Sequence, residues 1–171
     1  MPWKCNVVSH LLNYVCCKCL NPIIHSLGLA NIALRKPSAE GPGSYRCARC
    51  AVDGNTNTNY GAGSCSHTDC CSVLPWWRVD FGKTAFVYSM KLTNRGDCCG
   101  DRLSNFDVKI GNTTANRGDA NPTCVRNSAV GQGATKCFIC QPPLYGRYLF
   151  VQSNLYKPLT LCEIQVFGEL L

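Results

Sequence analysis

A histidine and two arginines are the groups in this chain best suited to grasping hydroxyls: His67 in Ser64-Cys65-Ser66-His67-Thr68, and Arg95 and Arg102 in Arg95-Gly96-Asp97-Cys98-Cys99-Gly100-Asp101-Arg102. Two guanidinium forks and an imidazole make fixed partners for sugar hydroxyls and a ring oxygen, and Asp97 can orient an arginine by pairing with it. Taken singly, these residues also read as a surface-loop histidine and two solvated charges in a turn. Cys98 and Cys99 are adjacent, and neighbouring Cα atoms lie about 3.8 Å apart, closer than the roughly 4.4 to 6.8 Å usual for a disulfide. Geometry alone therefore favours a distant partner for each. A bond between them would be strained and would set a rigid apolar plate beside the arginines. Asp53, Asn55, Ser64 and Glu163 carry oxygens of the kind that hard Ca²⁺ gathers, about six to eight at a time, although Asp53-Gly54-Asn55 by itself reads first as a turn. Catalytic apparatus is not visible: the chain has no Gly-x-Ser-x-Gly, no phosphate-cradling glycine loop and no His-Glu-x-x-His, and its 10 Asp and Glu form no obvious close pair.

The elements that must position these groups are strands. From Leu29 onward short β-type runs are broken by Gly, Asn, Pro and Ser clusters, and no stretch shows helical periodicity with caps. Phe86, Tyr88, Met90 and Leu92 alternate with Val87, Ser89, Lys91 and Thr93, which predicts the first set on a buried face. Phe106, Val108 and Ile110 alternate with Asp107 and Lys109 in the same way. Arg147 to Ser153 and Leu159 to Gly168 read as two more strands, with Trp76, Trp77, Val79 and Phe81 supplying aromatic mass. The expected architecture is all-β, two packed antiparallel sheets forming a sandwich or jelly roll. Residues 37 to 72 and 111 to 136 read as long loops held by disulfides.

Composition narrows the setting. The 171 residues suit one domain, 16% charged residues exclude a disordered chain, and no apolar run approaches the roughly 18 residues needed to cross a bilayer. Fifteen cysteines, about nine per cent, mark a disulfide scaffold of an oxidising compartment and exclude a cytosolic metabolic enzyme. The net charge of +7 is scattered, with no basic run or helix to hold nucleic acid. Residues 1 to 29 are an N-terminal extension of uncertain status, a poor signal peptide or a misassigned exon, preceding a domain over 30 to 171. Asn112-Thr113-Thr114 is a glycosylation sequon, consistent with secretion.

Seven ordered blocks resemble the F-type lectins, or fucolectins, of which eel-type fucose-binding agglutinins are examples. They are Asn31 to Leu34, Ala51 to Asn55, Gly63 to Thr68, Pro75 to Asp80, Asn94 to Arg102, Gly146 to Tyr148 and Leu159 to Glu163, and together they span roughly residues 30 to 168. The resemblance implies a discoidin-like (F5/8 type C-like) β-jelly roll that is not an enzyme. It implies that His67, Arg95 and Arg102 hydrogen-bond L-fucose, that Asp97 orients an arginine, and that Cys98 and Cys99 bond to each other against the sugar's apolar face. It maps Asp53, Asn55, Ser64 and Glu163, with carbonyls of Cys50 and Cys162, onto a structural Ca²⁺ site. It also implies bridges Cys65–Cys162 and Cys124–Cys140. The chain departs from the family in a His67-to-Arg95 gap one residue longer, and in Cys47, Cys50, Cys70 and Cys71. The expected pairing of these four is two local bridges between the first pair and the second, leaving Cys137 odd unless it meets a cysteine of the extension.

Two rivals from other classes compete. Cys47, Cys50, Cys65, His67 and Cys70 have the types and spacing of a zinc module, although this leaves most cysteines unexplained. Arg-Gly-Asp at 95–97 and 117–119 suggests cell adhesion, with the second copy in a Gly- and Asn-rich loop open to exposure. The expectation carried forward is a secreted, calcium-containing lectin for fucosylated glycans, working in innate recognition or agglutination. It would have no nucleic-acid partner and no membrane insertion, and it would be a homo-oligomer, because one shallow pocket binds weakly.

Overall fold

The computed structural model describes residues 29–69 and 72–171; the expectation for the N-terminal extension falls on residues outside these, Leu29 apart. Among the described residues the strands are β1 (Ala30–Asn31), β2 (Ser38–Gly41), β3 (Ser44–Arg46), β4 (Ser66–Thr68), β5 (Trp76–Thr93), β6 (Phe106–Gly111), β7 (Thr123–Ser128), β8 (Thr135–Ser153), β9 (Thr160–Leu161) and β10 (Glu163–Leu170). Short 3-10 helices at Ala48–Val52, Tyr60–Ala62, Gly100–Leu103 and Ala115–Gly118 join them. The larger sheet runs β1-β10-β5-β8-β6-β7, with β2 on the first part of β5, and the smaller runs β3-β4-β9. Every strand pair is antiparallel. This is the expected all-β jelly roll of two antiparallel sheets.

The long antiparallel partners β5 and β8 carry the core. Trp77 lies opposite Val151 and Val79 opposite Leu149, while Val108 and Ile110 of β6 face the same two β8 residues from the other edge. All six are fully buried. The Trp77 ring can afford this depth because its Nε1–H donates to the Ala48 carbonyl at 2.9 Å, which also anchors the Ala48–Val52 turn. Phe106, Val108 and Ile110 bury as their alternation predicts.

The alternation in β5 does not carry through. Phe86 is exposed and Val87 is buried, whereas Met90 and Leu92 are buried as expected. The register slips between Val87 and Ser89, and an extra residue in a strand swaps its faces. Phe86 packs instead on Tyr145 outside the sheet, ring centres 6.0 Å apart.

The two expected loops are shorter than predicted. Residues 37–72 contain β2, β3, β4 and two 3-10 turns, and residues 111–136 contain β7. Disulfides Cys65–Cys162 and Cys124–Cys140 fasten them to the sheets. Cys47 and Cys50 bond to each other, correcting the expectation of bridges to the second pair, because the tight turn at Ala48–Val52 brings their Cα atoms to 5.6 Å. Cys137 is disulfide-bonded as well.

Candidate functional site

The ends of β5, β8 and β10 meet at one edge of the large sheet. Thr93 pairs with Thr135 and with Glu163, and the Cys162 N–H donates to the Thr93 carbonyl at 3.0 Å. The segment that leaves β5 there, residues 94–103, is fixed by its first member. Asn94 is fully buried, its Nδ2 donates to the carbonyls of Gly100 (2.8 Å) and Val130 (2.7 Å), and its Oδ1 accepts from the Arg95 amide (2.7 Å). Gln132 adds a second clasp, donating to the Gly96 carbonyl at 3.0 Å and accepting from the Gly100 amide at 3.3 Å. Glycine is needed at position 100, because a Cβ there would lie 2.8 Å from the Gln132 Cα. With these bonds the loop holds its shape without relying on a strand.

Inside this frame the arginine and carboxylate pair bidentately. Arg95 Nε donates to Asp97 Oδ1 at 3.0 Å and Nη2 to Oδ2 at 2.7 Å, and the Tyr60 amide donates to Oδ1 at 2.9 Å. Arg95 first, and then that amide, draws the Asp97 carboxyl down to about 2. The Arg95 guanidinium lies 4.4 Å from the centre of the Tyr60 ring, and the same ring lies 5.5 Å from the His67 ring. Tyr60 therefore joins Arg95 to His67, a role the sequence reading did not assign it. Its signal, an aromatic residue inside an Asn- and Gly-rich loop, is visible only once the loop is folded.

His67 sits on β4 opposite Thr160 of β9, and Cys65–Cys162 ties those two strands together from the next residues. Its Nδ1 contacts the Thr68 carbonyl at 2.7 Å and its Nε2 lies 2.8 Å from Arg102 Nη1. A carbonyl only accepts, so Nδ1 carries the proton and Nε2 offers its lone pair to the guanidinium. Burial first, and then the charges of Arg102 and Arg95, hold the imidazole below its ordinary value, against the opposing pull of the Thr68 bond. Arg102 comes from the Gly100–Leu103 turn, whose first amide-bearing neighbour, Cys99, takes the left-handed conformation at φ 58°. Cys98 and Cys99 bond to each other, which corrects the expectation from Cα spacing that each would find a distant partner. His67, Arg95, Asp97, Cys98, Cys99 and Arg102 are thus gathered in one place, at a surface where Arg102 and both cysteines remain partly accessible.

The expected cation ligands lie on the segment running into this cluster. Asp53, Asn55, Asn57 and Asn59 each accept, through a side-chain oxygen, the amide two residues ahead, at 2.7 to 3.0 Å. These consecutive Asx turns make Asp53 to Gly61 an ordered arch, so the turn reading of Asp53-Gly54-Asn55 holds as part of a larger device. Ser64, fully buried, donates to the Asn59 carbonyl at 3.0 Å and closes the arch. Glu163 begins β10, which packs on the Ala48–Val52 turn containing Cys50. It is fully buried, and neither carboxylate oxygen makes a hydrogen bond of good geometry, the Gly54 amide alone favouring its charged form. Burial first, and then the charge of Asp53, push Glu163 up to about 8. A buried carboxylate that feels the charge of a second one, Asp53, is a donor set whose chemistry suits a hard divalent cation.

The zinc alternative does not survive: Cys47, Cys50 and Cys65 are all in disulfides, and no group of three metal-ligating His, Cys, Asp or Glu forms among the described residues. The second Arg-Gly-Asp lies in a loop with exposed residues, Asp119 among them, as expected, but its tripeptide is tied down. Gly118 is buried, Arg117 contacts the Leu74 carbonyl and Asp119, and its own carbonyl accepts from Gln152. Among the described residues no helix is long and apolar enough to cross a membrane.

Comparison with known proteins agrees with this architecture. The F5/F8 type C family model described as a NedA-like, galactose-binding domain matches residues 50–151. Fucolectin-4 of Anguilla japonica is 41% identical over 142 residues, 80% of this chain and 78% of that one. The crystal structure of an F-lectin (fucolectin) from Morone saxatilis (striped bass) serum superposes with a TM-score of 0.77 at 38% identity, over 82% of this chain and 49% of that one, so this chain spans about half its length. A Streptococcus pneumoniae fucose binding module superposes with a TM-score of 0.69 at 31% identity, over 83% of this chain and 97% of the module.

Proposed function

The chain belongs to the F-type lectin, or fucolectin, family, and on that premise we propose that it is a lectin binding terminal L-fucose on glycans through His67, Arg95 and Arg102. One observation supports this most: an acceptor nitrogen and two guanidiniums, each on its own rigid element, converge within one cluster. A sugar hydroxyl arriving between Arg102 and His67 accepts from Nη1 and donates to Nε2, replacing the bond those atoms make with each other. Arg95, already turned by Asp97 and stacked on Tyr60, keeps a free edge of its fork for a neighbouring hydroxyl or the ring oxygen. The Cys98–Cys99 bridge offers sulfur and methylene surface to the sugar's apolar face. Preset donors lose little freedom on binding, and that is the arrangement's advantage.

Calcium is the proposed cofactor. Asp53, Asn55, Ser64 and Glu163 with the Cys50 and Cys162 carbonyls would hold it, and it would neutralise the buried Glu163 carboxylate. The arch that ends at Ser64 leads directly to His67, so fixing one fixes the other. Secretion, action as an oligomer and a part in innate recognition or agglutination complete the proposal. The disulfide density supports an extracellular setting, and weak single-site sugar affinity is the physical reason for several copies.

Calorimetric titration of L-fucose into the oxidised protein, with calcium and after chelation, and with galactose and mannose as controls, tests the reading. Saturable binding of fucose alone that weakens on chelation is expected. A folded, calcium-loaded sample that ignores fucose would refute the sugar assignment, and unchanged affinity and thermal midpoint after chelation would refute the calcium assignment.

A further inference from the structure

Five of the 15 lysines and arginines in the described residues, Arg95, Lys109, Arg117, Arg147 and Lys157, are paired with carboxylates. Arg35, Lys36 and Arg49 are not, and these three line a single cavity of about 340 Å³, closed by Cys47, Cys50 and Asp53. None of the six belongs to the His67, Arg95 and Arg102 cluster, although Cys50 and Asp53 are also among the residues proposed to hold calcium. Three like charges around one cavity repel, and the backbone fixes where two of these side chains start. Arg35 sits in the left-handed region at φ 56°, with its amide donating to the Val52 carbonyl at 2.6 Å. Arg49 lies inside the Cys47–Cys50 ring, which is stapled by its disulfide and by the Trp77 bond to the Ala48 carbonyl. Ala33, Ala51 and Val52, neighbours of these residues in the chain, are fully buried. Asp53, the only anion in the lining, already accepts the Asn55 amide and faces Glu163.

We infer that this cavity is a second binding site, for a tetrahedral oxyanion ester carried on a saccharide, a sulfate or phosphate. Three cations match the three free oxygens of such an ester, whereas a carboxylate has two, and guanidinium forks bind these groups bidentately. The volume admits about one or two sugar rings and excludes a helix or a strand. The saccharide carrier rests on the lectin reading; the cation trio does not. The Cys47–Cys50 bridge, where the chain departs from the family pattern, acquires a purpose as the clamp that sets Arg49.

The test titrates glucose 6-sulfate, glucose 6-phosphate, glucose and inorganic sulfate into the full chain, read by amide chemical shifts and calorimetry. At least one ester should bind saturably and shift the amides of residues 35, 36 and 49, glucose should not bind, and inorganic sulfate should bind at least tenfold more weakly than the ester. Raising the ionic strength should weaken the ester and leave fucose unchanged. The triple variant Arg35→Ala, Lys36→Ala, Arg49→Ala should lose at least tenfold in ester affinity while keeping its thermal midpoint and its fucose affinity. No ester binding to the wild type, equal binding to the triple variant, or inorganic sulfate binding as tightly as the ester would each overturn the inference. Because fucose is titrated separately, a failed fucose site and a failed ester site give different results.

Discussion

At residues 95–97 the tripeptide Arg-Gly-Asp closes on itself through two bonds of 3.0 and 2.7 Å, whereas at 117–119 the same three residues meet through one of 3.3 Å. In the first copy the arginine side chain is 11% exposed and stacked on Tyr60; in the second it is 24% exposed and reaches a main-chain carbonyl, while Asp119 is shared with Lys109. The difference originates outside the tripeptide. Asn94 and Gln132 cage the first copy at the end of β5, and the Tyr60 amide completes the Asp97 carboxylate. The second copy hangs from the Ala115–Gly118 turn, with Asn116 and Arg117 both at positive φ and the Arg117 carbonyl bonded to Gln152. Identical residues become an aligned donor in one frame and a turn closure in the other.

The largest effect should come from breaking the donor set itself. Arg102→Ala removes the partner of His67 Nε2 and one guanidinium from the sugar, and two charge-assisted bonds at about 1.5 kcal/mol each imply a loss of roughly 100-fold in fucose affinity. Arg102 is only partly buried in a short turn, so the thermal midpoint should hardly move; calorimetry beside a melting curve separates the two effects. Retained affinity would remove Arg102 from the site.

Asp97→Asn tests the first copy's internal pairing. The amide keeps one acceptor but no charge, so Arg95 loses half its fork contact and its counter-charge while buried, and about a tenfold loss of fucose affinity is expected. Because the Asp97 carboxyl is held near 2, the pair persists above that pH and is lost only as the pH falls through it. Equal affinity in the variant would mean that Tyr60 and the Asn94 clasp alone orient Arg95.

How far these contrasts could be read in advance follows from the range of the interactions. Phe106, Val108 and Ile110 announced a buried face because a regular strand preserves period two, and the β5 bulge hid the same information by inverting the faces around Val87. His67, Arg95, Arg102 and Asp97 were legible by chemical type and by family resemblance. Tyr60 was not, since its bond to Asp97 spans 37 positions and leaves no local trace. For Cys98–Cys99 the spacing argument and the resemblance disagreed, and the resemblance was right because a left-handed Cys99 lets the bridge close. Cys47–Cys50 was misread because its pairing depends on a turn that composition does not reveal.

A smaller effect is expected from pH acting on His67. Protonation removes the Nε2 lone pair and adds a positive charge beside Arg102 and Arg95. The folded imidazole titrates below its ordinary value of 6.5, so fucose affinity should stay flat from neutrality down to about that value and decline only at lower pH. Stability carries the same sign, since the unfolded chain takes the proton first and the fold weakens as the pH drops below its value. An affinity that fell already between pH 8 and 7 would contradict the neutral, Nδ1-protonated imidazole.

The smallest expected effect sharpens the comparison most. Asp119→Ala deletes the acid of the second Arg-Gly-Asp, where its carboxylate meets Arg117 at 3.3 Å and Lys109 at 4.0 Å, both partly in water. Exposed pairs of this kind contribute about 0 to 1 kcal/mol, so stability should fall by no more than that and fucose affinity should stay within about twofold. Attachment of integrin-bearing cells should be unaffected too, because the buried Gly118 and the Gln152 bond prevent the loop from presenting arginine and aspartate apart. A loss of attachment in this variant would show that the second copy opens in solution, and the tripeptide rather than its frame would then decide function.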